Sequence, residues 1–316
     1  MSKIVITGGA GFIGSHLAKA LVPNHEVIVF DNIDSYYSPK LKEWNLREIS
    51  ANGSYSFVRG DIRDFNLVKS VIDDTVDYVF HEAAQAGVRK SVENPFVVND
   101  INVGGTLNVL RASLDAGVKR LINASSSSVY GKVKHLPFDE SHSTQPVSPY
   151  GVSKLAAEHY CRIFYEVYGL STVSLRYFTV YGPRMRPDLA ISIFAKKMLA
   201  NESLMIFGDG NQTRDFTFID DIVRANCTLL RTNAADGCAM NIGAGHRIAL
   251  NDLITYLKDI TGSKSEVVYS DKQKGDAEHT LADISLAREL IGYVPEVSID
   301  EGLRLYIDWL MQQARW

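Results

Sequence analysis

Tyr150 and Lys154 stand four residues apart in Tyr150-Gly151-Val152-Ser153-Lys154, and upstream lie four consecutive serines, Ser125 to Ser128, followed by Val129-Tyr130-Gly131. Positions i and i+4 of a helix share a face, so the lysine ammonium can lie beside the phenol. A phenol of ordinary pKa near ~10 is a poor base at neutral pH, and a neighbouring cation favours its ionised form. The pattern suits a site that moves a proton and a hydride. Taken alone, Tyr-x-x-x-Lys is equally the pattern of a solvated helix surface, so its meaning depends on the rest of the chain.

A second chemical signal lies at the amino terminus. Thr7-Gly8-Gly9-Ala10-Gly11-Phe12-Ile13-Gly14 follows the apolar run Ile4-Val5-Ile6 and opens a helical pattern. Glycines at 8, 11 and 14 let the backbone turn tightly and let a pyrophosphate approach the helix N-terminus, whose free amides, at Phe12 and Ile13, favour anions. Asp31 closes the second apolar run 17 residues after Gly14. There a carboxylate can accept hydrogen bonds from a ribose diol and would repel a 2′-phosphate, which favours NAD over NADP. The segment Gly60-Asp61-Ile62-Arg63-Asp64 has two readings, a support for the adenine edge through Asp61 and Ile62, or a plain turn.

The elements that would position these groups alternate. Short apolar runs at Ile4-Val5-Ile6, Val27 to Phe30, Tyr55 to Val58, Val76 to Phe80 and Lys119 to Ile122 are separated by helical patterns, among them Ser15 to Leu21 and Asn102 to Leu114. Runs rich in β-branched residues and spaced by helices indicate parallel strands buried on both faces. The expected fold is α/β, a Rossmann-like doubly wound parallel sheet with a smaller C-terminal α/β substrate domain. Residues 1–176 read as the NAD-binding domain, completed by segments from about 215–245, and 177–316 as the smaller, turn-rich domain, interleaved with the first. Helices over Leu250 to Ile260 and Ile299 to Leu310 belong to the second part.

Composition bounds the partners. With 33 basic and 37 acidic residues, the formal charge of −4 offers no sequence-wide basic footprint for nucleic acid. No segment reaches the ~18 uninterrupted apolar residues of a membrane span, and the amino terminus lacks the longer apolar stretch of a cleavable leader. The three cysteines, Cys161, Cys227 and Cys238, form no metal-like spacing and suit a reducing compartment, so no metal is expected and the cytoplasm is the simplest location.

Taken jointly, the motifs resemble those of the extended short-chain dehydrogenase/reductases, specifically the nucleotide-sugar epimerases. The resemblance is carried by Gly8-x-x-Gly11-x-x-Gly14, Asp31-Asn32, His81 to Val88, Ser125 to Gly131, Ser148-Pro149-Tyr150-Gly151-x-Ser153-Lys154, Arg176 to Pro183 and Arg214-Asp215-Phe216. It implies that Tyr150 is the catalytic base, that Lys154 lowers its pKa and holds the nicotinamide ribose, and that Ser126 bonds the sugar C4 oxygen with help from Ser127. It further implies that NAD is held by the glycine turn, Asp31 and Asn32, Asp61 and Ile62, Ala83, Ala84 and Gln85, Asn102, Ser125, Tyr150, Lys154 and Tyr177. Arg214 is placed on the substrate diphosphate, Met205 and Phe207 in the segment that carries the uracil, and Asp276 and Thr280 on the sugar wall. A homodimer through a helix bundle that includes the Tyr150 helix is the implied assembly.

Departures sort the chemistry. Dehydratases of this resemblance carry Asp-Glu within the Ser/Thr segment, and uronate decarboxylases carry Glu just before Val-Tyr-Gly; here the stretch is serine only. That leaves reversible oxidation at C4 of a UDP-sugar. Gln273 stands where relatives place an arginine near the diphosphate, with Lys272 or Lys274 able to supply the charge. Thr280 replaces a bulkier tyrosine, and Thr179 with Arg186 resembles the pair of UDP-glucuronate 4-epimerases, where a guanidinium holds the C6 carboxylate. Arg186 also reads as a surface arginine paired with Asp188. The ranking that follows is UDP-glucuronate/UDP-galacturonate, then UDP-GlcNAc/GalNAc or UDP-glucose/galactose. His81 and His279 read as structural groups.

Overall fold

A computed structural model of the chain describes residues 1–132, 135–271 and 278–313. Asp276, Lys272, Gln273 and Lys274 lie outside the described residues.

Six strands alternate with helices through the first part: β1 (Lys3–Thr7), β2 (Glu26–Asp31), β3 (Ser56–Arg59), β4 (Tyr78–His81), β5 (Arg120–Ser126) and β6 (Thr172–Tyr177). A seventh strand, Ala239–Ile242, joins them in one sheet of order Ala239–Ile242, β6, β5, β4, β1, β2, β3, with every pairing parallel. The chain order reverses between β1 and β4, and in such sheets ligands bind outside the carboxyl ends of the strands at that switch point. Both sheet faces are buried: Ile4, Ile6, Val27 and Val29 pack on one side, Val5, Phe30, Val79 and Leu121 on the other. This two-sided burial is why the strands read as nearly continuous apolar runs.

Strand β6 departs from that pattern because it carries Ser174 and Arg176 among its buried residues. The helix expected from Asn102 begins differently as well. Asp100–Gly105 forms a wider π-helical turn before the α-helix Thr106–Ala116, and the Thr106 hydroxyl donates to the Asn102 carbonyl at 2.6 Å within it. The later helices run Leu250–Thr261 and Ile299–Gln313. Beyond β6 lie three two-stranded pairs, Thr179–Tyr181 with Phe216–Phe218, Thr213–Arg214 with Ile248–Ala249, and Leu204–Phe207 with Val267–Ser270. Among the described residues no helix is long and apolar enough to cross a membrane.

The helix Pro149–Tyr168 places the tyrosine-lysine pair. The Ser148 Oγ accepts from the Gly151 amide at 3.1 Å and Pro149 occupies the first turn, a strong start signal. Lys154, Glu158 and Cys161 follow Tyr150 at helical spacing, and all three are buried. Glu158 meets Arg176 of β6 in a two-pronged ion pair, Nε to Oε1 at 2.9 Å and Nη2 to Oε2 at 2.8 Å. Arg176 Nη1 donates to the Tyr130 hydroxyl at 2.9 Å, which donates to Asn241 Oδ1 at 2.7 Å, and the Ser125 hydroxyl donates to Glu158. One buried network therefore joins the helix to β5, β6 and the seventh strand.

Removing one partner of a buried pair strands the other charge, at a cost of about 3–5 kcal/mol. Glu158→Gln should accordingly lower the unfolding free energy by about 3 kcal/mol in a denaturant titration, and a loss under about 1 kcal/mol would show that Arg176 is satisfied without it.

Candidate active site

Along the carboxyl ends of the sheet runs a cleft of about 1100 Å³. The glycine turn opens one end of it. Gly8 has a φ of +69°, its amide donates to the Phe30 carbonyl at 2.8 Å, and a Cβ there would lie 2.6 Å from the Ala83 amide nitrogen. A Cβ on Gly14 would meet the Gly8 carbonyl oxygen at 2.4 Å, so the outer glycines serve the protein's own packing. Gly11 is different. It precedes the helix Phe12–Leu21, no side chain caps that helix, and Gly11, Phe12, Ile13 and Gly14 line the cleft. An open glycine cradle on an uncapped helix N-terminus fits a pyrophosphate.

Asp31 lies at the next corner, buried and fixed. Its carboxylate accepts from the Ala10 amide at 3.1 Å and the Ile33 amide at 2.8 Å. Lys42, itself buried, places Nζ 3.7 Å from Asp31 Oδ1, so this corner holds a charge pair. Asn32 donates to Asp61 at 3.2 Å, and Arg63 donates to the same carboxyl at 2.9 and 2.8 Å. Those bonds, Arg63's first, hold Asp61 down at about 2. Asp61 is thus a turn residue, and with Ile62 it also lines the cleft.

Ala83, Ala84 and Gln85 follow β4 along the cleft wall. Asn102 does not line the cleft, although its motif suggested a cofactor contact. It is buried behind the wall, where Oδ1 accepts from the Gln85 amide at 2.7 Å and Nδ2 donates to the Gln85 carbonyl at 3.1 Å and to Ser153 Oγ at 2.9 Å. Ser153 Oγ in turn donates to the Tyr150 carbonyl at 2.8 Å. Asn102 braces the Gln85 loop against the Pro149–Tyr168 helix.

At the centre, Tyr150 and Lys154 line the cleft beside Ser125, Ser126 and Ser127. Lys154 Nζ donates to the Ala124 carbonyl at 2.7 Å, which ties the ammonium to β5 with one of its three donors. Ser126 Oγ accepts from the Ser128 amide at 3.1 Å and so turns the chain at the strand end. His81 is structural. Thr106 spends its proton on Asn102, so His81 Nε2 must donate to Thr106 at 2.9 Å and Nδ1 must accept from Thr7 at 2.7 Å. Burial, aided by the Lys154 charge, pushes its pKa down to about 3.

Thr179, Arg186, Met205, Phe207, Arg214 and Thr280 line the far wall. Thr280 Oγ1 accepts from the Asp215 amide at 3.2 Å, Arg214 Nη1 donates to the Thr213 and Glu278 carbonyls, and the Arg89 guanidinium lies 5.8 Å from the Phe207 ring centre. His279 faces Thr213 at 3.0 Å, away from the phenol's partners. Arg186 pairs with Asp188 at 3.0 Å, as one of its readings expects, and lines the cleft.

The model of the NAD dependent epimerase/dehydratase family matches residues 4–243. The UDP-glucuronate 4-epimerase of Thermodesulfobacterium geofontis is 39% identical over 313 residues, covering 98% of this chain and 96% of that protein. Among solved structures, the UDP-glucuronic acid 4-epimerase of Bacillus cereus, in complex with UDP-glucuronic acid and NAD, is 39% identical with a TM-score of 0.93, covering 98% of this chain and 99% of that one. The UDP-glucose 4-epimerase of Thermotoga maritima with UDP-glucose is 37% identical with a TM-score of 0.92, covering 99% of each chain.

Glu82 is a cleft residue that stands within the His81 to Val88 motif but was given no role there, although its place at the switch-point strand end was a usable signal. Tyr177, beside it, accepts from Asn226 Nδ2 at 2.8 Å and donates to Glu82 Oε1 at 3.1 Å. Burial pushes Glu82 up to about 7, against the pull of the Tyr177 bond and the Lys154 charge. The folded protein therefore binds this proton more tightly than the unfolded chain, so the associated stability is present below the ordinary glutamate pKa and is lost as pH rises through about 7. Between about pH 5 and 8 the wild type should lose about 2 kcal/mol more unfolding free energy than Glu82→Gln; equal losses would show that Glu82 titrates normally.

Proposed function

The chain belongs to the NAD dependent epimerase/dehydratase family, and from that premise we propose that it is an NAD-dependent UDP-sugar 4-epimerase acting on UDP-glucuronate and UDP-galacturonate. The observation that carries this reading is the placement of Tyr150, Lys154 and the serine-only strand end Ser125 to Ser127 in the same cleft as Arg186.

Each residue has a share of the work. Tyr150 takes the proton of the sugar C4 hydroxyl and gives it back after the 4-keto sugar has turned. Ser126 Oγ bonds the C4 oxygen in both orientations. Lys154, one helical turn from Tyr150 and anchored on Ala124, supplies the positive charge that favours the ionised phenol. Bound NAD supplies the acceptor and donor for the C4 hydride. The glycine cradle receives its pyrophosphate and Asp31 its ribose. Elimination and decarboxylation are disfavoured because the serine segment offers no carboxyl, and that of Glu82 is bonded to Tyr177.

A neutral UDP-hexose is the second reading, and one observation favours it: Asp188 already satisfies Arg186. A homodimer and a cytoplasmic location complete the proposal. On the Pro149–Tyr168 helix, Val152, Tyr160 and Val167 form an exposed apolar face away from the buried stripe, beside exposed Val92 and Phe96, and Cys161, Cys227 and Cys238 are free thiols.

Incubation with a panel of UDP-sugars, without added NAD and followed at H4 by NMR, should show C4 inversion of UDP-glucuronate faster than of UDP-glucose. No inversion of any sugar would reject the reading, and inversion of neutral sugars alone would replace its substrate. Tyr150→Phe should lower turnover about 10³-fold, the scale of a lost general base, whereas near-normal turnover would exclude Tyr150 from that role. Light scattering should give a mass near twice the 35.1 kDa of one chain; a monomer would refute the dimer.

A further inference from the structure

Across the cleft from the catalytic helix, the ribose corner and the sugar wall touch. From Asp31 the chain runs through successive side-chain-capped turns, with Asn32 Oδ1 accepting from the Asp34 amide at 2.9 Å and Asp34 Oδ1 from the Tyr36 amide at 2.7 Å. These turns aim Tyr36 at the opposite wall, 152 residues away in sequence, where its hydroxyl donates to Asp188 Oδ2 at 3.0 Å. The same carboxylate accepts from Arg186 Nε at 3.0 Å and Nη2 at 3.2 Å, and the guanidinium sits 5.7 Å from the Tyr36 ring centre. Gly87 makes room for this: its φ is +101°, and a Cβ would lie 2.4 Å from the Tyr36 hydroxyl oxygen. Burial, its largest influence, raises the Tyr36 phenol to about 12, so it remains a donor at neutral pH. Tyr150 lies within electrostatic reach of both Tyr36 and Arg186.

We propose that Asp188, held by Tyr36, is a resident carboxylate on Arg186 that competes with or repels an acidic sugar, so that this latch sets the discrimination between acidic and neutral UDP-sugars. The inference rests on the reading of Arg186 as the group that faces the sugar. Asp188 takes the Nε and Nη2 edge of the guanidinium, and a second carboxylate brought to the remaining Nη1 donors is repelled by it. A sugar carboxylate therefore gains at Arg186 only what remains after the Asp188 bonds are given up or after the repulsion of Asp188 is overcome. A hydroxymethyl group at the same carbon makes no such demand. Tyr36 strengthens the resident contact through the hydroxyl bond and through its ring, which lies against the guanidinium.

The test compares dissociation constants of UDP-glucuronate and UDP-glucose, by calorimetry on the NAD-loaded protein, for wild type, Asp188→Asn, Tyr36→Phe and each of these in an Arg186→Gln background. Asp188→Asn should shift the affinity ratio about tenfold towards UDP-glucuronate, the scale of one charge-assisted hydrogen bond. Tyr36→Phe, which keeps the ring and drops only the bond to Asp188, should shift it the same way by about twofold to threefold. Both shifts should vanish in the Arg186→Gln background. An unchanged or reversed ratio in Asp188→Asn would overturn the proposal, as would an equal shift without Arg186, which would mark a general charge effect. Should Asp188→Asn fail to fold, Tyr36→Phe carries the test alone. If the wild type inverts only neutral sugars while the shift is seen, the substrate reading fails and the latch stands.

Discussion

The ion pair between Glu158 and Arg176 is the constraint on which the rest of the site depends. Two charges lie inside a core of apolar side chains, and such charges are tolerated only when paired and bonded on every side. Here the pairing fixes how far the Pro149–Tyr168 helix can slide along β6, because the carboxylate must meet the guanidinium with two prongs. Tyr150 and Lys154 lie two turns and one turn before Glu158 on that helix. Their position over the carboxyl ends of β5 and β6 follows from the pair, as does that of Ser125, whose hydroxyl ends on the same carboxylate.

Around this fixed helix the remaining parts are braced from behind. Asn102, in the π-helical turn, holds the Gln85 loop with one end of its amide and the catalytic helix with the other. The glycine turn is tied to β2 through the Gly8 amide, and Asp31 at the end of β2 is pinned by two backbone amides. Cofactor corner, catalytic centre and sugar wall are thus separate segments whose spacing is set by the parallel sheet beneath them. The latch of Tyr36, Arg186 and Asp188 is the place where the first and last of them meet across the cleft.

What was legible from sequence were features whose cause is local. Strands β1, β2, β4 and β5 show themselves because burial on two faces demands apolar runs, and the glycine turn shows itself because its three glycines are spaced by the turn's own geometry. Strand β6 was obscured by Arg176, a buried charge whose reason, Glu158, lies on a different element. Long-range partnership hid other residues in the same way: Glu82 accepts from Tyr177, 95 positions on, and Tyr36 donates to Asp188. The resemblance implied a cofactor contact for Asn102, which lies behind the cleft wall against Gln85, and a motif cannot distinguish a side chain that lines a wall from one that supports it. Arg186 was open between a sugar contact and a surface pair, and the fold makes the pair while facing the cleft.

The central claim is that C4 is inverted by removal and return of the same hydrogen nucleus with its electron pair, while Tyr150 handles only the hydroxyl proton. UDP-glucuronate deuterated at C4, converted in ordinary water and analysed by NMR, tests it most directly. The account predicts that the galacturonate product keeps its deuterium at C4. Replacement of that deuterium by solvent protium would contradict the account, because it would mean that C4 is deprotonated by a base.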